Sequence, residues 1–208
     1  MISILVANTK GGCGKTTVAT HLAAAFANAG RRTVLADADR QRSSLEWALL
    51  RPAEAAPVGA LDWSREVTRP AGHPERLVID GAAAMKKKHV FELVKLADVI
   101  VVPVLPSALD QRSTATFLAR LGELKAIRKN RKPVAILRNR VRPRSLAANR
   151  LAAFLAEVEH TDLGALPDRA IYNEVAGRGL SIFDLPARRS AALRTDWQAL
   201  LDYIDGAG

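Results

Sequence analysis

The chain has 208 residues, of which 31 are Lys or Arg and 21 Asp or Glu, giving a formal charge of +10, with 49% hydrophobic and 5% aromatic residues. That length supports one well-buried α/β domain, expected over residues 1–208, and the charge favours a polyanionic partner, nucleic acid or an anionic membrane surface, although a basic surface that serves only solubility has the same composition. The single cysteine, Cys13, excludes a disulfide framework and a CxxC metal or cluster site, and no apolar run reaches the ~18 residues of a membrane span, so a reducing cytoplasm is the expected compartment.

In chain order, ISILVAN (2–8) reads as a short apolar strand and NTKGGCGKTT (8–17) as a glycine-rich loop. The following TTVATHLAAAFANAG (16–30) reads as a helix with Val18, Leu22, Ala25, Phe26 and Ala29 at helical spacing and Gly30 as its stop. The loop matches G-x-x-x-x-G-K-[ST] loosely, because Thr9 stands where the first glycine belongs, but its ending GKTT is intact. In such a loop the backbone N–H groups, here from Gly11, Gly12, Cys13, Gly14, Lys15, Thr16 and Thr17, cradle phosphate oxygens, and the helix dipole adds to their pull. Lys15 is then expected on the β- and γ-phosphates and Thr16 on Mg²⁺.

RRTVLADADRQ supplies a second strand, Thr33–Asp37, ending at Asp37 and Asp39, and a short helix follows from Ser43. Residues 51–75 are rich in Pro, Gly and Ala and read as a surface excursion with at most one short strand near Val58–Trp63. A third strand, Arg76–Ile79, ends at Asp80, and a fourth, Asp98–Val104, is an unbroken apolar run of the kind buried on both faces. Leu109–Asn130 is expected helical, Val134–Arg140 a strand, and Pro143 the start of a helix carrying Ala147, Leu151, Phe154 and Val158 on one face. Leu163–Leu166 reads as a last short strand, with helical stretches at Ala170–Ala176 and Ala187–Ile204. The alternation predicts an α/β fold, a doubly wound and mainly parallel sheet with helices on both faces.

Ligands bind at the carboxyl ends of parallel strands, so Asp37, Asp39 and Asp80 are candidates to surround Mg²⁺ and the γ-phosphate. Asp80 closes the apolar run LVI in the Walker B manner, with a strand-end Asp-Gly turn as the plain alternative.

KGGCGKTT (10–17), DADRQ (37–41) and VIDG (78–81), with the spacing between them, resemble the deviant Walker A ATPases of the ParA/MinD family, whose blocks read KGGxGKT[ST] and DxDPQ. PVLPSALD (103–110) and LRNRVRPRS (137–145) also look like family segments, and the short length with IDGAAA (79–84) resembles the small ParF-like partition ATPases. The resemblance implies that Lys10 reaches the phosphates of ATP bound by a partner subunit across a nucleotide-sandwich homodimer, where the alternative is a lysine on the loop surface. It implies that Asp39 polarises the attacking water, that Asp37 supports Mg²⁺, and that Asn139 bonds adenine, with Pro167 and Asp168 on the other side of the base; a turn-forming asparagine is the alternative for Asn139. Arg40 departs from the family proline, and Gly81–Ala82 from its Thr-Pro, without removing a catalytic group.

Arg138, Arg140, Arg142, Arg144 and Arg150 form one basic cluster, Lys86, Lys87 and Lys88 a second, and Arg178, Arg188, Arg189 and Arg194 a third. Such patches support salt-sensitive, sequence-independent DNA binding, or are simply a solvated face. The C-terminal DWQALLDYIDGAG is acidic in its last turns, which argues against a stable membrane anchor. The resulting expectation is a slow, nucleoid-associated ATPase that binds DNA nonspecifically as its ATP dimer and segregates cargo with a ParB-like adaptor. The alternative is a nucleotide-switched positioning regulator of a protein complex.

Overall fold

The computed structural model describes residues 1–83, 87–129 and 131–207, with Lys87 described by its backbone alone; Ala84 of the IDGAAA run and Lys86 of the lysine run lie outside the described residues. Among these residues seven strands make one parallel sheet: β1 (Ile2–Val6), β2 (Thr33–Asp37), β3 (Val58–Asp62), β4 (Arg76–Asp80), β5 (Val99–Val104), β6 (Val134–Val141) and β7 (Thr161–Pro167), in the order β3-β2-β4-β1-β5-β6-β7. Every residue of β4 and β5 is buried. Strands apolar on both faces need helices on both, and parallel connections supply them.

Alternate side chains of β1 divide the core. Ile4 and Val6 face one layer, where they join Val18, Leu22 and Phe26 of α1 (Lys15–Asn28), Trp47 of α2 (Ser43–Leu50), Tyr172 of α7 (Ile171–Ala176) and Leu200 and Ile204 of α9 (Gln198–Asp205). Leu5 and Ala7 face the other, with Val90, Leu93 and Val94 of α3 (Lys87–Leu96), Phe117 and Leu121 of α4 (Ala108–Gly122), Ile127 of α5 (Lys125–Arg128) and Leu151 and Leu155 of α6 (Leu146–Ala156). The alanines of α1 let that helix lie close to the sheet, since Ala19, Ala23 and Ala24 are fully buried.

Register places the acidic strand ends together. Asp80 is level with Val6 on one side and with Asp37 on the other, so both carboxylates stand beside the point where β1 enters the glycine loop.

Several elements differ from expectation. The 51–75 excursion carries the short strand expected near Val58–Trp63 as β3, paired in parallel with β2, but it also delivers Trp63 to the core at 1% exposure, so only part of it is surface. Leu109–Asn130 splits into α4 and α5 because Leu124 adopts an extended conformation and packs its side chain inward. Pro143 sits in the turn before α6, whose N-terminus is capped by the Ser145 hydroxyl accepting from the Ala148 N–H at 3.1 Å. The C-terminal stretch breaks into α8 (Ala187–Thr195) and α9 where Trp197 turns fully into the core. Helix α3 was absent from the sequence reading; Val90, Leu93 and Val94 carry its buried face.

Candidate functional site

The loop between β1 and α1 folds as a phosphate cradle requires. Gly12 and Gly14 have φ of 77° and 92°, left-handed conformations that a side chain disfavours, and Gly14 is the N-cap of α1 with no side chain capping it. The first N–H groups of the helix therefore have no side-chain cap and suit an anion. Lys15 is buried and folds back over the loop, its Nζ donating to the Lys10 carbonyl at 3.0 Å, while the Cys13 thiol donates to the same carbonyl at 3.3 Å. The Lys10 side chain, in contrast, does not line the adjoining cleft.

The three aspartates occupy three different environments. Asp37 Oδ1 accepts the Asp39 N–H at 2.9 Å and Oδ2 accepts the N–H groups of Ser44 and Leu45, both at 2.9 Å, so this carboxylate anchors the 38–45 turn and caps α2. It does not line the cleft, and in this structure it anchors the turn beside Asp80, the strand end with which it is level. Asp39 does line the cleft, and its Oδ1 accepts the Gln41 N–H at 3.0 Å. Asp80 is 1% exposed and neither of its oxygens has a hydrogen-bond partner. Burial pushes its pKa up to about 7; the nearby Thr16 hydroxyl favours ionisation without bonding geometry, the Asp37 charge opposes it, and Ser44 and Lys15 favour it more weakly.

Two orphaned carboxylate oxygens beside a threonine hydroxyl, under a phosphate loop, form a donor set that fits Mg²⁺, a cation usually bound by one or two carboxylates together with substrate phosphates. Among the described residues no group of three or more His, Cys, Asp or Glu could hold a metal, so phosphate oxygens and water would have to complete the shell.

The cleft itself measures 420 Å³ and runs from Gly11, Gly12, Gly14, Lys15, Thr16 and Thr17 past Asp39 and Gln41 to Asn139, Arg140 and Asp168. Its far wall is Arg169, Tyr172 and Asn173, which with Gln41 and Ala83 sequence reasoning missed. Gln41 belongs to the quoted DADRQ block and was within reach; the far wall carries no local signal. Asn139 is 5% exposed, and its Nδ2 donates to the Cys13 carbonyl at 2.8 Å. Pro167 ends β7 opposite Val141 but does not line the cleft, so only Asp168 of that expected pair does.

The arginine cluster around β6 is less free than its sequence suggests. Arg138 pairs with Asp162 at 3.2 Å, Arg140 with Asp168 at 3.1 Å and Arg142 with the same carboxylate at 3.8 Å. Arg140 thus belongs to the nucleotide cleft, while Arg144, Arg150, Arg188 and Arg189 remain exposed. Arg194 turns inward, donating to the carbonyls of Phe183 and Leu185, both at 2.9 Å, so its role is structural. No described helix is long and apolar enough to cross a membrane.

Comparison with known proteins agrees with this geometry. Residues 4–182 match the family described as the CobQ/CobB/MinD/ParA nucleotide binding domain. The "Maintenance of carboxysome distribution protein A" of Halothiobacillus neapolitanus is 31% identical over 201 residues, covering 91% of each chain, and its namesake in Gloeobacter kilaueensis is 36% identical, covering 97% of this chain and 93% of its own. The ATP complex of Cyanothece McdA shares the fold with a TM-score of 0.76 over 96% of both chains, at 14% identity. A strand, a glycine loop ending GKTT, a helix and an orphaned Asp80 in a parallel sheet, matched over most of its length, identify the chain as a member of the CobQ/CobB/MinD/ParA family of P-loop nucleotide-binding domains.

Proposed function

We propose that this protein is a Mg²⁺-dependent ATPase that dimerises around ATP and positions a protein-bounded cargo of the carboxysome type, the described chain acting as one nucleotide-binding domain. The observation that carries the switch is the division of the two loop lysines. Lys15 stays buried over its own cradle, while Lys10 is half-buried and is not among the residues that line its own cleft, which leaves it for the phosphates of a second subunit. A lysine is a point charge on a flexible stem, suited to that reach.

Hydrolysis needs little covalent help from the protein, because phosphoryl transfer is governed by positioning and charge neutralisation. Asp39, at the cleft edge, orients the attacking water, while Lys15 and the partner's lysine neutralise charge building on the phosphoryl oxygens. Thr16 and Asp80 would hold Mg²⁺, which would supply further neutralisation of phosphate charge. Asn139, Arg140 and Asp168 border the space left for the base, with ADP as the product that stays there before exchange. One carboxylate and two lysines support slow turnover, which suits a switch more than a metabolic enzyme.

The cargo reading rests on the two relatives named for carboxysome distribution, which favour positioning of a protein assembly over the expected plasmid or chromosome partition by a ParF-like protein. Nonspecific DNA serves as the track in this scheme, bound through Arg144, Arg150, Arg188 and Arg189 and the net charge of +10. An adaptor on the cargo, in the role a ParB-like protein plays in partition, stimulates hydrolysis and release. The test is deletion of the gene with fluorescent labelling of both cargo classes. Clustering of protein-bounded bodies with normal plasmid inheritance supports the proposal; plasmid loss with evenly spaced bodies overturns it in favour of DNA segregation.

A further inference from the structure

Immediately beyond the Asp39 turn lies a second, strongly basic concavity. Arg40, Arg42, Ser64 and Arg65 line a space of 670 Å³ at the carboxyl ends of β2 and β3. Asp62 beside it is taken up by Arg42, whose Nη2 lies 2.9 Å from Asp62 Oδ2, and by the Ser64 hydroxyl, which donates to Asp62 Oδ1 at 2.6 Å. Arg40 and Arg65 are exposed and form no salt bridge among the described residues. Three guanidinium groups line the cleft and no carboxylate does, Asp62 beside it being shared by Arg42 and Arg65, so its lining carries excess positive charge.

Two further features give the concavity a direction. It opens at the end of β3, the first strand of the sheet, which pairs only with β2 among the described residues, so its outer edge presents unpaired backbone groups. It is also tied to the catalytic turn. Arg40 follows Asp39 directly, and the Arg42 N–H donates to the Asp39 carbonyl at 3.0 Å, with Arg42 held at a φ of 55° that a non-glycine residue adopts at a cost.

We infer that this cleft and the free edge of β3 form a docking surface for an extended acidic segment of a partner protein. An added strand would satisfy the edge of β3 through its backbone, and its carboxylates would enter the arginine cleft, where the guanidinium fork matches them in bidentate geometry. The three arginines stand together at one strand end beside the unpaired edge of β3, which suits the backbone and carboxylates of an added strand, whereas duplex DNA presents only phosphates and sugars to such a patch and has no strand backbone to pair with that edge. A carboxylate drawing on Arg40 and Arg42 would act on the Asp39 turn between them and the nucleotide, and that coupling rests on the proposed role of Asp39 in hydrolysis.

The probes are a fluorescein-labelled synthetic peptide of alternating Glu and Val and a fluorescein-labelled random-sequence duplex DNA, each titrated with the full chain in ATP and Mg²⁺ and read by anisotropy. The expected result is that Arg40→Ala/Arg65→Ala weakens peptide binding at least about tenfold, the scale of losing charge-assisted contacts, and leaves DNA binding within about twofold of the parent. ATP-dependent dimerisation is expected to be unchanged, which also shows that the variant folds. N-methylation of alternate backbone nitrogens in the peptide is expected to abolish its binding, because an added strand needs those N–H groups. Three results overturn the inference: a parent chain that binds the Glu-Val peptide no better than a Ser-Val peptide, a variant that binds it unchanged, or a variant that loses DNA binding instead, which would assign the cleft to nucleic acid. Absence of ATPase activity or dimerisation in the parent would instead overturn the proposed function, while peptide binding would still report on the cleft.

Discussion

The side-chain amide of Asn139 donates to the carbonyl oxygen of Cys13 at 2.8 Å, joining the end of β6 to the middle of the phosphate loop. The same side chain accepts the Arg140 N–H at 3.0 Å, so it is fixed at both ends. A methyl group on Gly14 would lie 2.0 Å from Asn139 Nδ2, in a backbone conformation of φ 92° that already disfavours a side chain. The loop and this asparagine are therefore fitted to each other, and the residue expected to read the base also braces the cradle. Gly14→Ala should abolish nucleotide binding to the detection limit of calorimetry. Asn139→Ala should weaken ATP and GTP alike by roughly tenfold, the scale of one buried hydrogen bond with its partner stranded. A loss confined to ATP would mean that base contact alone matters.

The division between the loop lysines yields three distinguishable variants. Lys15→Ala should lose ATP binding by at least about a hundredfold, since it removes a buried cation from the cradle. Lys10→Ala should bind ATP within a few-fold of the parent yet stay monomeric by light scattering; normal ATP-dependent dimerisation would count against a reach in trans. Asp39→Ala should dimerise and then hold ATP, with turnover falling by about two orders of magnitude or more.

If Asp80 holds Mg²⁺ as proposed, Mg²⁺ binding there releases a proton at low pH. Its pKa is raised to about 7, so at pH 6 most of the free protein holds a proton there that a cation must displace, while at pH 9 the group is already ionised. Titration calorimetry with Mg²⁺ and ATP in buffers of different ionisation enthalpy should show about one proton released at the lower pH and almost none at the higher. The stability consequence has the matching sign. A carboxyl whose pKa is higher folded than unfolded contributes fully below its unfolded value and loses that contribution as pH rises through 7. Asp80→Asn should thus be more stable than the parent at pH 8, on the order of 3 kcal/mol, with little difference near pH 4, as measured by denaturant titration.

His21 has the opposite sign. It is fully buried on α1, stacked on Trp197 with 5.1 Å between ring centres and edge-on to Tyr172 at 5.3 Å, and its Nδ1 lies 2.9 Å from the Thr17 carbonyl. A carbonyl can only accept, so Nδ1 carries the proton, and Nε2 is buried without a partner among the described residues. Burial lowers the pKa to about 4, while the Thr17 carbonyl and Asp184 oppose the shift. The unfolded chain takes up a proton below about 6.5 and the folded chain does not until about 4, so stability falls as pH drops across that window. The expected loss is on the order of 3 kcal/mol at completion, and His21→Phe should flatten it. A parent denaturation profile with no slope there beyond that of His21→Phe would refute a buried neutral imidazole.

Legibility in the sequence followed how local each signal was. The bounds of β2, Thr33–Asp37, and the start of α2 at Ser43 were readable because apolar alternation and helix-start residues act within a few positions. The break at Leu124 and the inward turn of Trp197 were not, since helical periodicity continued through both and only burial against distant elements interrupts it. The far wall of Arg169, Tyr172 and Asn173 was hidden for a related reason: these residues lie about 150 positions from the loop they face.

What the sequence determined by itself is the phosphate cradle, because glycines at positions needing left-handed φ, a lysine and a threonine act through their own backbone and the helix they open. It also placed an aspartate at the end of each of two strands. Only the tertiary structure distinguished them, since parallel register sets Asp37 and Asp80 level with each other, and what then decides is which neighbours can donate. Three N–H groups of the following turn satisfy Asp37 and make it an anchor. Asp80, beside the same strand ends, has neither oxygen hydrogen-bonded, and that is what makes it the candidate for a cation.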